Sequence, residues 1–322
     1  MPYFSRNKGS SPKRIVSTLE LLFEKVREKN YPIIMSSINE INWFPGHMAK
    51  ARNKIEEKIK QCDGVIEIGD ARAPFSSFPD YLDKITQDKA KVYVFSKSDL
   101  ADPKAFKEAQ QILSEKGIKP FVFDLRDKNA AKPMLKYLSQ IHTKKDERFL
   151  RLNFPLPAKR FIVLGIPNVG KSTFINCLAG KKKAAVENRP GKTRDEPMIK
   201  VSDKVFIFDS PGILEPNYED KEISAKLALL GSIRIDILPI IPLTDYLLEN
   251  IQTHYPNLLS ERYPFSNQLK EEEFFLAFAN SRNMFLTKGQ PDIQRSRMTF
   301  LKEFRDGTIG RISLDHPYER NE

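Results

Sequence analysis

One stretch of the sequence, residues 165–172, limits the folds available to this chain more than any other. It reads Gly-Ile-Pro-Asn-Val-Gly-Lys-Ser, follows the apolar run 161–164 and precedes a stretch of helical character at 173–179. Glycines here let backbone N–H groups turn toward phosphate oxygens, and the next helix adds its positive N-terminus, so the stretch is typical of a phosphate-binding loop. The predicted phosphate-binding residues are Asn168, Val169, Gly170, Lys171, Ser172 and Thr173.

Short apolar runs recur through the middle of the chain, separated by segments of helical length. They lie at 65–68, 92–95, 121–123, 161–164 and 205–208. This alternation predicts a doubly wound α/β fold with a mostly parallel sheet, whose ligands bind at the carboxyl ends of the strands. The predicted units are an N-terminal extension, the α/β domain and a small helical domain, at 1–41, 42–215 and 216–322.

Composition supports this division and excludes other classes of protein. The chain has 322 residues, of which 40% are hydrophobic, which is enough for about two domains. Two cysteines cannot form a disulfide framework, and no stretch reaches the ~18 uncharged apolar residues of a membrane span. We therefore expect a folded protein without a transmembrane segment.

Two segments after the phosphate-binding loop carry candidate metal and phosphate contacts. Residues 209–212 read Asp-Ser-Pro-Gly directly after an apolar run, which places Asp209 to hold a Mg²⁺ shell through water and the N–H of Gly212 to bond the γ-phosphate. The segment 190–194, Pro-Gly-Lys-Thr-Arg, offers one further hydroxyl. The predicted Mg²⁺-binding residues are Ser172, Thr193 and Asp209.

Residues 96–99, Ser-Lys-Ser-Asp, resemble the N-K-x-D element of GTPases and follow the apolar run 92–95. The Asp99 carboxylate would accept hydrogen bonds from N1–H and N2–H₂ of guanine, donors that adenine lacks. Ser96 replaces an Asn, which predicts loss of an amide contact to the base and to the phosphate-binding loop. The alternative is that Asp99 caps a helix. The predicted base-binding residues are Ser96, Lys97, Ser98 and Asp99.

The order of these motifs is unusual, because the base-binding element lies 69 residues before the phosphate-binding loop. Circular permutation gives this order while preserving the sheet. The sequence resembles the circularly permuted GTPases of the YlqF type, in particular their mitochondrial members. The stretches that carry the resemblance start at Phe44, Asp70, Gly165, Pro190, Asp209 and Phe304.

The resemblance implies a permuted G domain followed by a helical RNA-binding domain. It also implies GTP hydrolysis that times release from an immature large ribosomal subunit, here the mitochondrial one, with GTP as substrate and Mg²⁺ as cofactor. The implied location is the matrix side of the inner membrane, with peripheral membrane association.

Catalysis must proceed without a glutamine after Gly212, because Ile213 occupies that position. The resemblance implies that His47 positions the attacking water, a task suited to an imidazole with an unperturbed pKa of ~6.5. The alternative is that His47 only caps the following helix. Asn168 resembles the asparagine that seats K⁺ in cation-activated GTPases, and the alternative there is a loop-stabilising residue.

Charge suggests a polyanionic partner and an import signal. The net charge is +11, and residues 216–322 carry 13 basic against 16 acidic residues, so the positive excess lies in the first two-thirds. Residues 1–19 contain four basic residues and no acid, as in a mitochondrial transit segment or a cytosolic tail. Basic residues near the loop 181–194 and in the stretch 282–311 are candidate contacts for RNA phosphates, and the alternative is that they form solvated faces. Those in the stretch 282–311 are Arg282, Lys288, Arg295, Arg297, Lys302, Arg305 and Arg311.

Three functional hypotheses remain from the sequence. The first is a hydrolytic switch in assembly of the mitochondrial large ribosomal subunit. The second is an RNA-binding or membrane-peripheral scaffold that binds GTP and barely hydrolyses it, which Ile213 and Ser96 favour. The third is the same chemistry in the nucleolus or cytosol.

Overall fold

The computed structural model describes residues 46–123, 127, 129–180, 198–212, 214, 220–233, 239–266 and 269–316, with the side chains of 46–51 and 144 excepted. The strands are β1 (Gly64–Asp70), β2 (Ala90–Ser96), β3 (Phe121–Val122), β4 (Lys159–Gly165), β5 (Met198–Ser202) and β6 (Val205–Phe208). The helices are α1 (Gly46–Gln61), α2 (Asp80–Ile85), α3 (Pro103–Glu115), α4 (Ala131–Gln140), α5 (Lys144–Arg151), α6 (Lys171–Ala179), α7 (Lys221–Leu229), α8 (Ile240–His254), α9 (Pro256–Arg262), α10 (Glu271–Ser281) and α11 (Ile293–Arg305).

The six strands form one sheet in the order β3-β2-β1-β4-β6-β5, parallel except for β5, which pairs antiparallel with β6. The predicted doubly wound, mostly parallel sheet is confirmed. β5 was not predicted, because it has no fully buried residue and lacks the continuous apolar run of the inner strands. An edge strand has neighbours on one side only, and its sequence signal is weaker for that reason.

Alternate residues of the inner strands enter two cores, one on each face of the sheet. Ile162 and Leu164 of β4 pack with Ile55 and Ile59 of α1, whereas Val163 belongs to the core on the opposite face. Every residue of β1 is buried, because helices cover both of its faces. This burial fixes the register that aligns the carboxyl ends of β2, β1 and β4.

The helices α7 to α11 follow the sheet and share its larger core. Tyr263, Phe274, Phe278 and Phe300 are all buried and form edge-on and tilted ring contacts at 5.3–6.4 Å between centroids. The division of the chain at 41 and at 215 stays a prediction. No helix in the described ranges has both the length and the apolar character that a bilayer crossing requires.

After α11 the C-terminal segment, residues 306–316, returns to the sheet. The N–H of Leu314 donates to the carbonyl of Arg72 at 2.7 Å, and the N–H of Ile312 donates to that of Leu100 at 3.0 Å. The buried carboxylate of Asp315 accepts hydrogen bonds from both the N–H and the hydroxyl of Ser76 and from the ammonium of Lys226. The last described residues are thereby joined to the loops after β1 and β2.

Candidate functional site

The phosphate-binding loop lies between β4 and α6, as predicted. Gly170 has φ +96°, a left-handed conformation that favours glycine and turns the chain into α6. Lys171 is 7% exposed, and its ammonium donates to the carbonyls of Gly165 and Ile166 at 3.2 and 2.8 Å. Burial lowers the pKa of Lys171 to about 8, against the raising influence of the Asp209 carboxylate. The loop thus holds a desolvated cation, which suits a phosphate ligand.

Two predicted metal-binding residues meet beside this loop. The hydroxyl of Ser172 donates to Oδ2 of Asp209 at 3.1 Å, although 37 residues separate them in the chain. The other carboxylate oxygen of Asp209, Oδ1, is buried and has no hydrogen-bond partner among the described residues. A hydroxyl beside an unsatisfied carboxylate oxygen fits Mg²⁺, which prefers oxygen ligands. Thr193 and the basic residues around 181–194 lie outside the described residues.

Gly212 packs directly against the phosphate-binding loop. A Cβ atom at this position would lie 2.5 Å from the Cα of Pro167, so only glycine permits the approach. The backbone of Gly212 is therefore next to the loop predicted to bind phosphates, as its proposed contact with the γ-phosphate requires. Ile213 lies outside the described part of the chain.

Ser96, at the end of β2, contacts the phosphate-binding loop through its side chain. Its hydroxyl is 2.6 Å from the carbonyl of Val169 and 3.2 Å from that of Gly69. The expected loss of contact with the phosphate-binding loop was wrong: the side chain is 2% exposed, and the short hydroxyl reaches the loop because β2 and β4 flank β1 in register. The expected loss of an amide contact to the base stays a prediction. Ser96 therefore ties the base-binding element to the phosphate-binding loop.

The base-binding turn is anchored on a buried charge cluster that the sequence did not identify as part of the site. Lys97 has φ +57°, and its ammonium lies 3.0 Å from Oδ2 of Asp70. Arg72 binds the same carboxylate through Nε and Nη2, at 3.0 and 2.8 Å. Burial alone would raise the pKa of Asp70, but the charges of Arg72 and Lys97 outweigh it and hold that pKa well below its usual range. The position of Asp70 at the carboxyl end of β1 was the available sequence signal.

Asp99 is exposed on the turn that follows Lys97, and Ser98 beside it is half-buried. The alternative that Asp99 caps a helix is wrong, because α3 begins at Pro103 and the side chain of Asp102 accepts from the N–H of Lys104. Asp99 is thus placed on the turn between β2 and α3, at the carboxyl edge of the sheet.

Asn168 joins the phosphate-binding loop to the end of α7. Its side-chain nitrogen donates to the carbonyl of Gly231 at 2.7 Å, and the Ser232 hydroxyl donates to the carbonyl of Pro167 at 2.9 Å. This is the contact of a loop-stabilising residue. It leaves the amide oxygen of Asn168 as the atom for a K⁺ ion, so the K⁺ role stays a prediction.

Other predicted residues have simpler positions. Val169 is buried under the loop, and Thr173 is exposed in the first turn of α6. His47 lies in the first turn of α1, where the side chains are outside the described part of the structure.

The basic residues at 282–311 are a partial correction to the predicted RNA contacts. Arg297 is 3% exposed and donates to Thr244 and Asp245, so it is not available to a phosphate. Arg305 donates to the carbonyls of Ala228 and Leu229, at the end of α7. These arginines stabilise the helical region, α7 to α11, whereas Lys302 is exposed.

Comparisons with known proteins agree with this geometry. A family model described as "50S ribosome-binding GTPase" matches residues 160–272. Ribosome biogenesis GTPase A of Priestia megaterium is 36% identical over 282 residues, 87% of this chain and 98% of that protein. Mitochondrial ribosome-associated GTPase 1 of Mus musculus is 32% identical, over 85% of this chain and 89% of that protein. The structure of GNP-bound YlqF from T. maritima matches with a TM-score of 0.55 and 26% identity, over 84% of this chain and 99% of that one.

The family match starts in β4 and includes the phosphate-binding loop and residues 209–212, whereas the base-binding element precedes it, as the permuted order requires. The relative from P. megaterium covers both parts. The chain therefore belongs to the ribosome biogenesis GTPase A, or YlqF-type, family of P-loop GTPases.

Proposed function

We propose that this chain hydrolyses GTP as a nucleotide-dependent switch in assembly of the mitochondrial large ribosomal subunit. The observation that carries the proposal is the meeting of three loops at one sheet edge. The Ser172 hydroxyl contacts Asp209 at 3.1 Å, and the Ser96 hydroxyl contacts Val169 at 2.6 Å. These two contacts bring the metal, phosphate and base elements together, which is the arrangement that GTP hydrolysis needs.

In this proposal Lys171 and the N–H of Gly212 contact the β- and γ-phosphates. Ser172, Thr193 and Asp209 would hold Mg²⁺, which would supply positive charge to offset that of the phosphate oxygens. His47 positions the attacking water, a task that the aliphatic Ile213 cannot perform. Intrinsic hydrolysis is therefore slow, and Asn168 would seat a K⁺ ion whose charge would accelerate it.

Selectivity for guanine comes from Asp99, which accepts from N1–H and N2–H₂ of the base. Lys97 is held by Asp70, so its stem has a fixed path beside the base. A carboxylate that the bound base shields from water and that adenine leaves unpaired costs ~1–3 kcal/mol.

The partner and compartment rest on the relatives' names and on charge. The mouse relative is named for the mitochondrial ribosome and the matched family model for the 50S particle. The acid-free segment 1–19 favours import. We place the chain on the matrix side of the inner membrane, peripherally attached, with 42–215 as the G domain and 216–322 as the RNA-binding domain.

Turnover by the intact purified chain tests the switch. GTP and ATP hydrolysis would be measured with and without mitochondrial large ribosomal subunits, in K⁺ and in Na⁺. We expect GTP alone to be hydrolysed, faster with particles and with K⁺. If particles bind but turnover stays at background in both salts, the scaffold hypothesis replaces the switch.

The role of His47 is tested in the same assay. His47→Ala should keep GTP affinity and lose the particle-stimulated rate, whereas Arg151→Ala, which removes an exposed charge on α5, should leave both unchanged. Equal rates for His47→Ala and the wild type would remove His47 from the mechanism.

The location of the protein is tested separately, by fluorescence microscopy of the intact chain carrying a tag. The signal distinguishes mitochondria from nucleolus and cytosol.

A further inference from the structure

The C-terminal segment forms hydrogen bonds along the turn that carries Asp99. Arg311 donates from Nη2 to the carbonyl of Ser98 and from Nε to the carbonyl of Ala101, both at 2.8 Å. Between these two points, the N–H of Ile312 donates to the carbonyl of Leu100 at 3.0 Å. Asp99 therefore lies between backbone groups that residues over 200 positions away hold in place.

The C-terminal segment is itself firmly placed against this turn. A Cβ atom at Gly307, which has φ +73°, would lie 2.6 Å from a methyl carbon of Leu100. The hydroxyl of Ser313 accepts from the N–H of Asp102, and Tyr255 donates its hydroxyl proton to the Asp102 carboxylate. Arg311 therefore binds both ends of the turn, and the segment that carries it has little freedom to shift.

The geometry of Arg311 is specific to a guanidinium. Its planar fork presents two N–H groups to two carbonyl oxygens at once, and hydrogen bonds from a charged donor are stronger than neutral ones. A lysine ammonium is a point charge on a flexible stem and does not reproduce the paired contact. Sequence had suggested Arg311 as an RNA phosphate contact, but these donors are engaged within the chain.

We infer that Arg311 is a positioning residue for guanine selectivity, acting through Asp99. The inference rests on the proposed guanine contact of Asp99. Without Arg311, the carbonyls of Ser98 and Ala101 exchange their donor for water and the turn relaxes. The two hydrogen bonds from the Asp99 carboxylate to the base edge require one fixed position of that carboxylate. Both therefore weaken when the turn relaxes. The phosphate contacts of Lys171 and Gly212 are on other loops and stay as they are.

The test compares GTP with ITP, whose base keeps N1–H but lacks the N2 amine. Arg311→Ala and Arg311→Lys would be assayed for KM and kcat with both nucleotides, with Arg151→Ala, an exposed arginine of α5, as the charge-matched control. We expect KM for GTP to rise about tenfold, KM for ITP to rise less and kcat to stay unchanged. Arg311→Lys, which keeps the charge, should resemble Arg311→Ala, and Arg151→Ala should resemble the wild type.

Thermal unfolding of each variant separates selectivity from general damage. Equal weakening of GTP and ITP, with a lowered Tm, would overturn the inference, as would an unchanged ratio of their KM values. Asp99→Asn tests the underlying guanine role. An amide can donate a hydrogen bond to the 2-oxygen of xanthine, so this variant should bind XTP more tightly relative to GTP than the wild type does. If Asp99→Asn leaves the preference unchanged, the guanine role of Asp99 fails. If it shifts the preference while both Arg311 variants do not, only the inference about Arg311 is wrong.

Discussion

The two ends of the nucleotide site are held in different ways. At the phosphate end, local backbone geometry dominates: Gly170 turns the chain, and Lys171 bonds carbonyls of its own loop. At the base end, the turn carrying Asp99 depends on distant groups, namely the Asp70 carboxylate under Lys97 and the C-terminal segment. A loop stabilised by contacts among its own residues keeps its conformation when distant residues change. A turn stabilised by distant residues shifts when those residues change. Changes in the C-terminal segment should therefore reach the base before they reach the phosphates.

The largest effect is expected at the base end, from Asp70→Asn. Arg72 is 2% exposed and would lose its counter-charge, and breaking a buried pair in this way costs about 3–5 kcal/mol of unfolding free energy. Urea unfolding followed by circular dichroism measures the loss. Asp203→Asn, whose side chain is 94% exposed, is the matched control and should change little.

The pH dependence of the unfolding free energy is a second measurement of the cluster formed by Asp70, Arg72 and Lys97. Arg72 and Lys97 hold the pKa of Asp70 below its ordinary value of 3.8. The stabilisation is complete above about pH 5 and is lost progressively as pH falls toward the folded-state pKa. Between about pH 5 and about pH 3 the wild type should lose more unfolding free energy than Asp70→Asn does. Parallel losses would show that the cluster does not stabilise the base end.

Lys171→Met tests the phosphate end and should separate binding from stability. Burial lowers the pKa of Lys171 to about 8, so the folded chain holds this charge at a cost, and a methionine of similar length removes that cost. The unfolding free energy should stay within ~1 kcal/mol of the wild type, while GTP binding weakens by ~2–3 kcal/mol, roughly 30- to 150-fold. Titration with a fluorescent GTP analogue and urea unfolding measure the two quantities. A stability loss as large as that of Asp70→Asn would erase the distinction between the two ends.

The same difference explains what the sequence could predict. The position of the phosphate-binding loop and the closeness of Asp209 to it could be predicted because fixed spacings on consecutive elements encode them, and the inner strands because continuous apolar runs mark burial on both faces. The binding roles of these residues stay predictions. Asp70 and Arg72 were recognised as a pattern, but their role depends on the pairing of β1 with β2. Pairing between strands is a long-range property that local spacing does not encode.

Arginines were the least predictable residues. Arg297 and Arg305 were expected on a phosphate-binding surface, but one is buried against Asp245 and the other binds the end of α7. A positive charge in a sequence does not reveal whether its partner is another molecule or a carbonyl of the same chain. The hydroxyl of Ser96 was misjudged for a related reason, since its reach depends on how closely two non-adjacent strands approach.

A smaller effect is expected where the helical region meets the phosphate-binding loop. Asn168→Ala removes both the donor to Gly231 and the proposed K⁺ ligand, whereas Ser232→Ala removes only a neighbouring contact between the same two segments. Asn168→Ala should abolish the advantage of K⁺ over Na⁺ in GTP turnover, and Ser232→Ala should keep it. If both variants keep the K⁺ advantage, the contact is structural and Asn168 does not seat the ion.

The smallest effect should come from Ser96→Ala, which cuts the direct link between the two ends. The change removes one buried hydroxyl and leaves the carbonyl of Val169 without that donor, a loss of ~1 kcal/mol, or about fivefold in GTP affinity. Ser114→Ala is the control, because Ser114 is an exposed serine of α3 outside the predicted site. Isothermal titration with GTP and with ITP should show the same fractional loss for Ser96→Ala, since the link places the whole turn relative to the phosphates. A loss confined to GTP would mean that Ser96 touches the base itself, and the two ends would then be less independent than their contacts indicate.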